Sequence, residues 1–317
     1  MTDAPRMHTR ADGGGQPSVL IYDRIAANKR QTWLMMVLFV GLIGAFATVV
    51  ALALGFPWQA APFVFAILAV YALFSYYASS SITLAVSGAH EVTRDDEPEL
   101  YRAVENLCIG AGLPMPKVYV IEDTAPNAFA TGRDPQHAAV CATRGLLQKL
   151  DRAELEAVIA HELSHIGNFD IRVMTITVVL VGLVALLADF FMRWTWFGAG
   201  SRSSNKDRGG SAQAVLFLVA IALAILAPIA AQLIQLAISR QREYLADASG
   251  ALLCRNPDAL ADALEKISAD PEPLEVANKA TAHLYITNPL KAHQSFLNNL
   301  FSTHPPVEER IRLLRAM

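Results

Sequence analysis

The sequence predicts a mainly α-helical membrane protein that also carries an α+β domain with a small β-sheet. Three observations point to it. Apolar residues make up 53% of the 317 residues and charged residues only 17%, against roughly 45–50% and about 25% in ordinary soluble domains. The charges are also unevenly spread: residues 31–90 contain no Asp, Glu, Lys or Arg, and neither do residues 209–239. A soluble surface rarely tolerates such gaps. Between these deserts, residues 88–170 mix strand-like alternation with helix-like periodicity.

The elements follow in order. Residues 1–30 form a tail, with disorder predicted over 1–18, where Ala11-Asp-Gly-Gly-Gly-Gln-Pro-Ser18 is polar and Gly-rich. Residues 31–82 form a transmembrane hairpin with spans over 33–55 and 62–81, each long enough for the ~30 Å hydrocarbon core. A signal peptide is the rival for the first span, but its apolar region would run only about 7–15 residues, with no second long run straight after it. Lys29 and Arg30 before the hairpin favour a cytoplasmic N-terminus.

Residues 88–172 form the first part of the α+β domain. Pro98 to Gly110 reads as an amphipathic helix with Leu100, Val104 and Leu107 on one side. Lys117 to Glu122 alternates like a strand, Ala125 to Gly132 is a short edge strand, and Ala138 to Thr143 is another strand, with Gly145 as punctuation. Asp151 starts a helix, with Glu154 as its capping-box partner. A second hairpin covers 173–238, with apolar runs 173–192 and 214–238. Asp189 falls near the far end of the first run, and Pro228, Gln232 and Gln235 interrupt the second. Residues 239–317 complete the domain as helices. Four spans put both soluble parts on one side. One feature disagrees: the loop holding Arg193, Arg202, Lys206 and Arg208 against Asp207 should be cytoplasmic by the positive-inside rule. Either the charge bias is overridden, or runs three and four do not both cross fully.

A net charge of −3 without large single-sign blocks excludes a nucleic-acid surface. Cys108, Cys141 and Cys254 are scattered and odd in number, so they make neither a CxxC pair nor a disulfide framework.

The chemistry lies in Ala157-Val-Ile-Ala-His-Glu-Leu-Ser-His-Ile-Gly-Asn168. His161 and His165 are one helical turn apart and can share one metal. Glu162 lies about 100° round the helix from His161, within reach of a water on that metal. This is HExxH. Neutral imidazoles hold Zn²⁺ at about 2.0–2.1 Å, and the ion lowers the pKa of its water from about 15.7 toward ~7. Glu162 is the general base. A catalytic zinc needs a third protein ligand. The extended HExxHxxGxxH pattern is excluded, because Asn168 and Ile171 stand at positions it would need. The domain is expected to be zincin-like, and the gluzincin type would need a downstream glutamate as third ligand. Glu243 is the first such residue, and Asp247, four residues on, can accept the second ring N–H of a zinc histidine. From spacing alone Glu265, Glu275 and His283 remain open.

His161-Glu-Leu-Ser-His165 followed by Arg240-Gln-Arg-Glu-Tyr-Leu-Ala-Asp247 resembles the HtpX family of membrane zinc endopeptidases, relatives of the type I CAAX prenyl proteases. Pro126-Asn-Ala-Phe-Ala-Thr-Gly132, Thr143-Arg-Gly-Leu-Leu147 and Phe301-Ser-Thr-His-Pro-Pro-Val-Glu-Glu-Arg310 extend the likeness over most of the chain beyond the Gly-rich tail. The resemblance implies that Glu243 is the third ligand to one Zn²⁺ per chain. It also implies a bacterial inner-membrane enzyme that works at the cytoplasmic face on misfolded membrane proteins or unfolded polypeptides, in contact with lipid and alongside other quality-control proteases. Two further assignments are hypotheses: His304 as a donor to the oxyanion, and Asn127, Ala128, Phe129 and Ala130 as an edge strand that pairs with substrate. Arg310 is expected to hold the His304 segment by local bonds. A prenyl-peptide-processing protease is one alternative function, but that group carries more spans around its metal. The other alternative, a zinc-bearing scaffold, has no use for Glu162.

Overall fold

The computed structural model describes residues 21–53, 57–183, 240–277, 281, 284–287 and 305–317. Helix α1 (Ile21–Ala53) starts twelve residues before the predicted span. At about 1.5 Å per residue its length is roughly 50 Å, well beyond the ~30 Å hydrocarbon core. Its first three turns carry Asp23, Arg24, Lys29 and Arg30, so polarity divides the helix into a polar base and an apolar shaft. A 3₁₀ turn at Trp58–Ala60 leads into α2 (Ala61–Val86), which has proline in its first turn, where no backbone donor is lost. Among the described residues, Trp58–Val86 alone is long and apolar enough to cross a membrane unaided.

The sheet has strands β1 (His90–Glu91), β2 (Lys117–Ile121), β3 (Ala128–Gly132) and β4 (Ala138–Thr143) in the order β1-β2-β4-β3. β2 and β4 run parallel, with Val118 opposite Val140, while β3 is antiparallel to β4, with Phe129 opposite Cys141. β3 is the edge expected from its flanking Pro and Gly. Side chains alternate between two buried faces. Val118, Val120, Ala128, Ala130, Val140 and Ala142 meet the main core under α3 (Pro98–Ala111) and α5 (Arg152–Gly167). Phe129, Ala139 and Cys141 face Leu84, Met174, Val178 and Tyr285. Leu100, Val104 and Leu107 bury the predicted stripe of α3.

Gly145 does not end an element. It lies in α4 (Arg144–Lys149), capped by the Thr143 side chain, and a Cβ there would come 1.8 Å from the Thr124 carbonyl oxygen. Glycine is required by close approach rather than by a chain break.

Helix α6 (Asp170–Leu183) bends 83° from α5 and contains the start of the third apolar run. Val173, Ile176 and Leu180 pack on Met35, Met36, Phe39 and Ile43 of α1, so this part of the run is covered by protein. The remainder of that run and the fourth run lie outside the described residues, as do Asp189, Pro228, Gln232, Gln235 and the basic loop. An apolar stretch reads alike in lipid and in a core, which is why its surroundings were not legible beforehand. The chain returns as α7 (Arg240–Cys254) and α8 (Pro257–Ala269), which pack on α5, and α9 (Val307–Leu314), which packs on α8 and α7.

Candidate metal centre

Helix α5 is central and buried along most of its length. The Asp151 carboxylate accepts from Glu154 N–H at 3.0 Å, and Glu154 accepts from Asp151 N–H at 2.8 Å, closing the predicted capping box. Glu154 is itself held by Lys266 of α8 at 2.6 Å. The rigid helix carries His161, Glu162 and His165, each no more than 4% exposed.

Helix α7 crosses directly over His161. On α7, Gly250 lies where a Cβ would come 2.9 Å from His161 N and 3.0 Å from its Cα, so only glycine permits the contact. Glu243, Asp247 and Gly250 fall at helical spacing on that same face. Glu243 thereby joins the two histidines: donor atoms of His161, His165 and Glu243 all lie within 4.8 Å of one another. The two Nε2 atoms are 3.2 Å apart, and they lie 3.9 and 3.7 Å from the Glu243 carboxylate oxygens. Ligands about 2.05 Å from a tetrahedral ion are separated by roughly 3.3 Å, so this cluster fits one metal.

The outer atoms support the same conclusion. His161 Nδ1 lies 3.0 Å from Asp247 Oδ1, with the carboxylate off the N–H axis, and His165 Nδ1 lies 3.0 Å from Asp170 Oδ2. A carboxylate beside each Nδ1 sets the tautomer that turns both Nε2 lone pairs inward. The two Nε2 atoms, 3.2 Å apart, can share one proton or turn both lone pairs to one metal ion. Among the described residues, four buried carboxylates (Glu162, Asp170, Glu243, Asp247) and two buried guanidiniums (Arg242, Arg310) surround the donors.

Arg310, 1% exposed, binds Asp247 in two-point fashion at 2.8 and 2.7 Å and donates to the Ile286 carbonyl at 2.8 Å. Rather than bonding within its own segment, as expected, it ties α9 to the carboxylate behind His161. Burial alone would raise the pKa of Asp247; Arg310 outweighs it and holds the group at about 2. Burial lowers the pKa of His161, against the opposing pull of Asp247. Burial would also lower His165, but Asp170 and Glu243 outweigh it and push this pKa up to about 9. Burial pushes Glu162 up to about 7, His165 opposes the rise, Glu243 adds to it, and the nearby backbone N–H of Ala130 favours the charged carboxylate.

The general-base position thus lies near the edge strand. Asn127 carbonyl accepts from Thr143 N–H at 2.9 Å, so by alternation the polar groups of Ala128, Ala130 and Gly132 point outward from the sheet. The chain itself uses part of this edge. Ala128 carbonyl accepts from Ile286 N–H at 3.0 Å, Gly132 N–H donates to Thr175 Oγ1 at 3.2 Å, and Asn127 Nδ2 donates to the Thr287 carbonyl at 3.3 Å. Phe129 turns to the opposite face and packs edge-on against Tyr285. Of the four residues expected to meet substrate, Ala130 is the one placed against Glu162.

Among the other readings, Glu265 pairs with Arg315 on the surface, and Glu275 N–H donates to Asp123; neither joins the cluster. His283 and His304 lie outside the described residues. Sequence reasoning missed Asp170, Arg242 and Asn28. Asp170 reaches back to His165 because the chain turns at Asn168 and Phe169. Phe169 adopts the left-handed region at φ 60°, a strain of about 1–2 kcal/mol for a side chain of this kind.

Two histidines on one buried helix, a glutamate between them and a carboxylate delivered by a second helix define a metallopeptidase of the HExxH class. Residues 94–317 match the family described as Peptidase family M48. The chain belongs to that family. It is 46% identical over 298 residues to a protein described as "Protease HtpX homolog" from Tropheryma whipplei (strain Twist), covering 94% of this chain and 99% of that one. A protein of the same description from Dictyoglomus thermophilum is 47% identical over 299 residues, covering 93% and 94%. The crystal structure of S. mikatae Ste24p matches at 19% identity with a TM-score of 0.47, over 92% of this chain and 66% of that one. At that level the likeness carries no argument.

Proposed function

We propose that this metalloprotease is a zinc endopeptidase of the gluzincin type, set in a bacterial inner membrane. In this reading it cuts misfolded membrane proteins or unfolded polypeptides at the cytoplasmic face, alongside other quality-control proteases. One observation carries the chemistry: three inward donors converge on a point beside a buried glutamate whose pKa lies near neutrality. Two imidazoles and one carboxylate suit zinc. When bound there, the metal supplies Lewis acidity that polarises the scissile carbonyl and acidifies a water.

The chain's own residues do the rest. Glu162 takes a proton from the attacking water and gives it to the leaving amine. Glu162 lies near Ala130 of the edge strand, so an extended substrate pairing along that edge would bring its scissile bond near the base. Arg310 anchors α9 at the centre, and His304, six residues upstream, donates to the developing oxyanion.

A bilayer location is supported by the uncharged stretch 31–90 and by apolar side chains left outward on the first two helices. Leu34, Val37 and Leu38 of α1 and Phe63, Ile67, Val70 and Phe74 of α2 are each more than half exposed, a band that lipid would cover. Lys29 and Arg30 at the polar base of α1 support a cytoplasmic site.

The test uses the full chain purified in detergent, stripped with chelator and reloaded with zinc, on casein and on an unfolded membrane protein. Glu162→Gln should lower cleavage by about 10²–10⁴-fold while still binding one zinc per chain. Full activity in that variant, or cleavage by the stripped protein, would sink the reading.

A further inference from the structure

The base of α1 reaches the metal centre. Asn28 is 4% exposed, and its single amide serves two supports of the cluster. Its Nδ2 donates to Asp170 Oδ1 at 2.7 Å and to the Asn168 carbonyl at 2.9 Å, while its Oδ1 accepts from Arg242 Nη1 at 3.2 Å. The amide orientation follows from its partners, since a carboxylate accepts and a guanidinium only donates. Asp170 Oδ2 lies 3.0 Å from His165 Nδ1, and Arg242 immediately precedes Glu243 in α7. Asn28 is thus one bond from the support of one donor residue and one peptide from another.

Neighbouring residues of α1 brace the same corner. Lys29 Nζ lies 4.2 Å from the centre of the Phe169 ring, and Arg172 holds that ring at 5.5 Å. The hydroxyl of Thr32, fully buried, donates to the Asn28 carbonyl at 2.9 Å. The corner Asn168-Phe169-Asp170, whose left-handed turn aims Asp170 at His165, is therefore gripped from α1 through both a polar and a cation–π contact.

We infer that Asn28 is a positioning residue of the metal centre: it fixes Asp170 and, through it, the His165 ring, so the first helix is part of the site it was expected only to anchor. The inference rests on His161, His165 and Glu243 being the metal ligands. Movement of α1 against the domain then changes the aim of one ligand. Outer partners of metal-bound histidines typically contribute about 10–100-fold in metal affinity, and Asn28 acts one link further out.

The experiment titrates the stripped full chain in detergent with zinc against a chromophoric chelator, and repeats the loading with Co²⁺ to read its visible spectrum. Wild type should bind one zinc per chain, and failure there would overturn the metal reading itself. Given that binding, Asn28→Ala should weaken zinc about tenfold and alter the Co²⁺ bands. A double-mutant cycle with Asp170→Asn should be non-additive, because both changes cut one relay. Wild-type affinity and spectrum in Asn28→Ala, or additive losses in the double variant, would overturn the inference while leaving the metal reading intact. If Asn28→Ala does not fold, Asn28→Ser is read the same way, since its shorter hydroxyl fills part of the space without spanning to Asp170.

Discussion

His161 and His165 are one turn apart on the same buried helix, yet the structure holds them by different means. Behind His161, Asp247 is locked by the two-point grip of Arg310, wholly within α7 and α9. Behind His165, Asp170 is held by a neutral amide on α1, with Arg242 Nε at 3.9 Å. One arm is bolted by charge inside the domain. The other is a clasp that depends on where a separate, mostly apolar helix lies. The same outward duty, fixing an imidazole, is thus met once within the domain alone and once with the docking of a separate helix added to the more distant Arg242 charge.

The sharpest way to break this contrast is Arg310→Ala. It strands a buried Asp247 carboxylate, and removing one partner of such a pair costs about 3–5 kcal/mol. Thermal unfolding of the stripped protein should show that loss, together with far weaker zinc binding; a melt close to wild type would place the two arms on an equal footing. Gly250→Ala should have a smaller effect of about 1–3 kcal/mol, because its Cβ would press on the His161 backbone 2.9 Å away. Zinc affinity should fall as α7 lifts, and an unchanged affinity would show that the crossing has slack. Asp151→Ala removes a helix cap worth about 1 kcal/mol from the element both arms share. It should lower the melting temperature slightly and leave zinc affinity alone, so a large affinity change would mean that the start of α5, rather than the arms, sets the histidines.

Legibility in the sequence followed the range of the interaction. The capping box, the histidine pair and the Glu243–Asp247 pair are written in local spacing, and each reappears in the geometry. Strand β4 also occupies the expected residues, because a short apolar run between a 3₁₀ turn and a capping Thr143 has little freedom in its ends. What stayed hidden depends on pairing between distant segments. Asp170 is only five residues past His165, but its role requires an 83° turn; Gly167-Asn168 can mark a helix end, yet nothing local sets the angle at which the next helix leaves. Asn28 meets Asp170 across 142 positions, beyond any periodicity. Arg310 offered a charge without a visible partner, so a local bond was the natural expectation. Gly250 within a helix carries no mark of the contact it permits. The uncharged stretch before residue 90 pointed to lipid, whereas α6 shows that a similar apolar run can spend its first turns inside protein.

The placement of the third donor has a consequence in time. Glu243 is made 78 residues after His165, and Arg310 another 67 residues later. At roughly 5–20 residues per second of synthesis, a nascent chain carries its histidine pair for on the order of ten seconds before the bracing arginine exists. During that interval the cluster lacks the glutamate, its crossing helix or the guanidinium that balances it. The cluster seen in the structure is complete only once these late helices have been made and docked.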